Sequence, residues 1–65
     1  MPPKRMAMTI TRLRGAMTQE ELAKRAQVSR GYLAALEAGH RKNPSIAVLE
    51  RIAKALGVPV GKLLG

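Results

Sequence analysis

His40 is the only histidine in the chain, and its potential partners are four glutamates, with no aspartate and no cysteine. Nucleophilic or acid–base catalysis needs a nucleophile beside a base, in a pocket that keeps water out, and 65 residues with this inventory supply neither. Enzyme function is therefore not expected. A metal centre has too few ligands as well, so no metal and no cofactor are expected, and His40 reads as a solvated loop residue. The stretch "GVPVGK", Gly57 to Lys62, lacks the spacing and the following Ser or Thr of a phosphate loop. The four methionines read as gap fillers in an apolar core. Positive charge is what the chain has in excess: twelve Lys and Arg give a formal net charge of +8. The chemistry on offer is thus non-covalent capture of anions, with nucleic acid as first candidate and an anionic membrane surface as second.

Such a short chain forms one domain, and without Phe or Trp its core must be built from Leu, Ile, Val, Met and Ala. Its apolar runs are a few residues long, far below the roughly 20 needed to cross a bilayer, and nothing resembles a signal peptide. A soluble, cytoplasmic protein is expected, with no membrane partner. The absence of cysteine accords with a reducing compartment.

The elements that must position the charges are helical throughout. Residues 1–5, "MPPKR", read as a flexible basic arm, and residues 6–65 as the folded domain. Met6, Ile10 and Leu13 recur at helical spacing before a stop at Gly15. Thr18 and Glu21 form a capping-box pattern that opens a second helix from about Gln19 to Ala26. Ser29 caps a third helix that ends at Gly39. Pro44 and Ser45 begin a fourth, whose face of Ile46, Leu49, Ile52, Ala53 and Leu56 points to the core before Gly57 and Pro59 end it. Val60 to Leu64 makes a short fifth helix. The fold class is all-α, with five short helices.

At about 100° per residue, placing Leu33 and Leu36 inward leaves Gly31, Ala34, Ala35 and Ala38 on the opposite side of the third helix, with Arg30 and Tyr32 on its flanks. A helix face without long side chains fits deep into a major groove, and alanine methyls can meet the thymine methyl. The same bare face also suits docking by another helix.

Two helices joined by a tight turn, the first opened by a polar cap and carrying a small inward residue, match a helix-turn-helix. From about Ile10 to Leu64 the chain resembles the phage-repressor-like (Cro/Xre-type) helix-turn-helix family. The resemblance is carried by "TQEELAKRA", "VSRGYLAALEAG", "NPS" and "LERIAKALGVPVGKLL". It implies a repressor-like domain in which helices two and three form the motif and helix three enters the major groove of double-stranded DNA. It implies base contacts from Ser29 and Arg30, with Gly31, Ala34 and Ala35 facing the base edges; Arg30 suits the O6 and N7 of guanine. Backbone contacts fall to Gln19, Tyr32, Ala38, His40, Arg41, Lys42 and Asn43, assisted by Lys4 and Arg5. Ala23 corresponds to the small residue where the two helices cross, and Arg12 with Glu37 to an ion pair bracing helix one against helix three. The family's turn often carries Gly where this chain has Gln27.

The function so implied is that of a sequence-specific transcriptional regulator, repressor-like, binding a two-fold operator as a homodimer. Val48, Val60 and Leu64, at or beyond the edge of the core stripe, are the expected dimer interface. The alternative is a DNA-binding antitoxin or protein-docking module on the same fold, with a toxin or other protein as partner. A cationic membrane peptide and a single-stranded RNA binder are further rivals, the latter weakened by the lack of stacking aromatics.

Overall fold

The computed structural model describes residues 3–40 and 44–64. Five helices follow in order: α1 (Pro3–Arg14), α2 (Gln19–Ala26), α3 (Arg30–Glu37), α4 (Ile46–Leu56) and α5 (Gly61–Leu64). The described residues contain no strand. Pro3, Lys4 and Arg5 belong to the first turn of α1, which corrects the expectation of an arm reaching to residue 5. Proline is well placed there, because its ring presets a helical φ and its missing N–H would have had no intrahelical acceptor.

Local signals set the ends of the central helices. The Thr18 side chain accepts from the Glu21 N–H at 3.0 Å, and Glu21 Oε1 accepts in return from the Thr18 N–H at 3.3 Å, completing the capping box of α2. Ser29 Oγ accepts from Tyr32 N–H at 2.9 Å and Ser45 Oγ from Val48 N–H at 3.1 Å, so α3 and α4 open on serine caps. Three helices close with the same hydrogen-bond pair around a left-handed residue. After α2 it is Gln27 (φ 59°), after α3 Gly39 (φ 79°), after α4 Gly57 (φ 75°). The residue following each donates back into the last turn: Val28 to Ala23 O at 2.9 Å, His40 to Ala35 O at 2.9 Å and Val58 to Ala53 O at 3.0 Å. Gln27 is the only non-glycine with positive φ among the described residues, so the left-handed turn occurs here without the residue that tolerates it best.

The core is a single cluster drawn from every helix: Ile10, Leu22, Leu33, Leu36, Ile52 and Leu63 are its largest fully buried side chains. Small residues let the helices approach closely, with Ala23 and Ala26 buried on α2 and Ala53 on α4. α2 packs against α3 and α4, while α1 packs against α3 and α5. Every fully buried residue among those described is apolar.

Two apolar residues depart from the expected pattern. Ile46 is 56% exposed rather than in the core stripe of α4. Its bearing is right, within about 20° of Ala53, but seven residues place it roughly 10 Å away along the axis, beyond the core. Met8 is 62% exposed, two residues and so about 200° from the buried Met6, and does not fill a gap. Met17 does pack on the core, and Met1 lies outside the described residues.

Candidate nucleic-acid interface

Helix α3 is fixed by what lies beneath it. Leu33 and Leu36 are fully buried, and opposite them Gly31 and Ala38 are exposed while Ala34 and Ala35 are half-buried. A Cβ built on Gly31 would meet nothing within 4 Å, so the fold itself does not require a glycine there. Arg30, the first residue of α3, is exposed, and its side chain makes no hydrogen bond or ion pair with the described residues. Ser29 is exposed as well, and although its oxygen accepts the cap bond, its hydroxyl hydrogen remains available for donation. Tyr32 is half-buried and packs on the core cluster.

Glu37, at the end of α3, holds three segments together. Its Oε2 accepts from Arg14 Nε at 2.8 Å, and its Oε1 accepts from Arg14 Nη2 at 2.9 Å and Gln19 Nε2 at 3.0 Å; Thr11 Oγ1 lies 3.3 Å from Oε1, its single hydrogen shared with the nearer Ala7 carbonyl at 2.9 Å. Arg14 Nη1 donates at 2.7 Å to the carbonyl of Met17, so the same guanidinium ties down the turn between α1 and α2. The expected brace between α1 and α3 thus exists, but its cation is Arg14, and Arg12 is exposed to solvent. Helical geometry gives the reason. Arg14 lies about 40° from the buried Ile10, on the side shared with buried Ala7, whereas Arg12 lies about 200° from Ile10. Sequence reasoning missed Arg14 and Thr11; Ala7, Thr11 and Arg14 at i, i+4, i+7 were the signal that would have found them.

Gln19 is half-buried at the start of α2, with one amide N–H committed to Glu37. It borders an open depression together with Arg14, Thr18, Glu20 and Arg30, so the starts of α2 and α3 face one another. At the other end of α3, Gly39 abuts the first turn of α1: a Cβ there would lie 3.6 Å from Lys4 Cγ. Exposed Lys4 and exposed His40 therefore flank the same end of α3. Arg41, Lys42 and Asn43, also expected at the backbone, lie outside the described residues. Val48 and Val60 are half-buried against the core, and Leu64 is 43% exposed.

A second cationic cluster, Arg25, Arg51 and Lys54, lies on α2 and α4. Arg51 Nε donates at 3.0 Å to Ala26 O, capping the end of α2. No group of three His, Cys, Asp or Glu among the described residues could hold a metal ion, and none of the described helices is long and apolar enough to cross a membrane.

Two capped helices joined by a three-residue turn, the second laid over a buried pair of leucines and bare on its outer side, define a helix-turn-helix domain. The pattern of the helix-turn-helix family matches residues 10–63, and the chain belongs to that family, in its phage-repressor (Cro/Xre-type) branch of DNA-binding regulators. It is 47% identical over 49 residues to the immunity repressor protein of Bacillus phage phi105, covering 75% of this chain and 33% of that one. It is 48% identical over 46 residues to YqaF, an uncharacterized HTH-type transcriptional regulator of Bacillus subtilis, covering 71% and 59% respectively. The chain thus spans between a third and three-fifths of the length of these curated relatives. Its fold is similar to that of the restriction-modification controller protein C.AhdI from Aeromonas hydrophila, with a TM-score of 0.88, 25% identity and 94% of each chain covered.

Proposed function

We propose that this chain is the sequence-reading module of a transcriptional regulator, and that it inserts α3 into the major groove of double-stranded DNA. The observation that carries the reading is the division of α3 into a buried leucine side and an open small-residue side, with exposed Arg30 at its start. In the bound state Ser29 and Arg30 contact base edges, and Gly31, Ala34 and Ala35 let the helix sit close enough for methyl contacts. Gln19, Tyr32, Ala38 and His40, with Arg41, Lys42 and Asn43, hold the phosphate backbone; Lys4, beside Gly39, adds a further cation.

One such helix reads too few base pairs for an operator, and a second copy about 34 Å along the duplex doubles the readout. Leu64 supplies exposed apolar surface for a homodimer contact, and the half-buried Val48 and Val60 extend it. Selection of bound fragments from a random duplex pool tests the reading. An enriched motif with two-fold symmetry is expected. Recovery of unrelated sequences in proportion to the input pool would refute sequence-specific binding.

A further inference from the structure

The contact between Gln19 and Glu37 links the surface of α2 to a carboxylate beneath α3. The Glu37 side chain is 5% exposed, and as a carboxylate it only accepts hydrogen bonds. The Gln19 amide, 3.0 Å away, can meet it in one sense only, nitrogen toward Glu37 and oxygen away. One of its two N–H groups is then consumed and the other has a fixed direction. Gln19 lines an open depression together with Arg14, Thr18, Glu20 and Arg30 at the start of α2, where the Glu21 N–H is held by Thr18 and the N–H groups of Gln19 and Glu20 have no intrahelical acceptor.

We propose that Glu37 is a positioning residue for phosphodiester recognition: by holding one N–H of Gln19 it presents the other to a phosphate oxygen at the start of α2. The inference rests on the DNA-binding reading above. It assigns to the acid a role besides bracing α1 against α3, because the residue that ends the reading helix sets the geometry of a contact made by its neighbour.

A double-mutant cycle on a 20-base-pair duplex of arbitrary sequence tests this, since phosphate contacts do not depend on sequence. Gln19→Ala is expected to weaken binding by about 5-fold in the wild-type background, the scale of one hydrogen bond. The salt dependence should be unchanged, because the lost donor is neutral. In a Glu37→Met background, which removes the acceptor, the same change is expected to cost less than about 2-fold. The cycle cancels the effect of the altered net charge. Equal losses in both backgrounds overturn the positioning role while leaving Gln19 at the phosphate. No effect of Gln19→Ala in either background overturns the phosphate contact itself, and no duplex binding by the wild type overturns the DNA reading.

Should Glu37→Met fail to unfold cooperatively, the wild-type side-chain amide signals of Gln19 decide the matter. One proton protected from exchange in the free protein and unmoved by duplex, with the other shifting, is expected. Two protons that shift together, or that both stay still, overturn the proposal.

Discussion

Arg14 grips Glu37 through two nitrogens, Nε at 2.8 Å from one carboxylate oxygen and Nη2 at 2.9 Å from the other, across 23 residues of chain. Paired hydrogen bonds of this kind fix orientation as well as distance. The pair is partly shielded, Arg14 more open than Glu37, so it fastens the rim of the domain, where α1 and α3 meet.

Arg14→Ala leaves the shielded carboxylate with the Gln19 amide and a Thr11 hydroxyl it shares with the nearer Ala7 carbonyl, and is expected to destabilise the fold by about 3 kcal/mol. Arg12→Ala should stay within about 0.5 kcal/mol, because that side chain is exposed and holds nothing. Thermal unfolding of the two variants checks the assignment. Equal losses would put the brace on the wrong arginine.

Gln27 occupies a left-handed position that glycine fills at the ends of α3 and α4. Gln27→Gly is expected to stabilise the domain by about 0.5–1 kcal/mol, the relief of strain outweighing the greater freedom of glycine in the unfolded chain. For a domain of this size that raises the melting temperature by about 4–7 °C. A lower melting temperature would mean that the glutamine side chain contributes more than its backbone costs.

Gly31 costs α3 about 1 kcal/mol relative to alanine, and the space around it is open. Gly31→Ala is therefore expected to stabilise the free domain while weakening the DNA complex, an opposition of sign that calorimetry and a binding titration read separately. Improvement in both would show that nothing approaches the helix closely at this residue.

Arg30→Ala should cost about 1–3 kcal/mol of binding and relax the preference at one position of each half-site. Lys42→Ala should lower affinity evenly over all sequences and reduce the slope of log K against log salt by about one. Binding measured on the selected motif and its single-base variants, at several salt concentrations, separates the two roles. An even loss from Arg30→Ala would remove it from base reading.

Much of this arrangement was legible from short-range signals. The bounds of α2 follow from Thr18, Glu21 and the run of Leu22, Ala23 and Ala26, all settled within one or two turns. The inward side of α3 follows from Leu33 and Leu36, which have no competing large apolar residue except Tyr32. The errors arose where a role was carried over from the resemblance or where height along an axis mattered. Arg12 is the residue that the family resemblance implies for the brace, whereas the stripe of Met6, Ile10 and Leu13 already lies nearer to Arg14, and buried Ala7, too small to mark that stripe, widens it further toward Arg14. Ile46 has the bearing of a core residue, but packing ends before its turn. The carboxylate shared by Thr11, Arg14 and Gln19 joins residues far apart in sequence, and no local periodicity announces it.

The open surroundings of Gly31 bear on how this scaffold acquires new targets. Its absent side chain supports nothing inside the molecule, so on the proposed reading replacement there, or at neighbouring Arg30, would change what α3 contacts while the leucines beneath keep the architecture intact. Retargeting such a domain is thus an exchange of outward vocabulary, separable from the grammar that folds it.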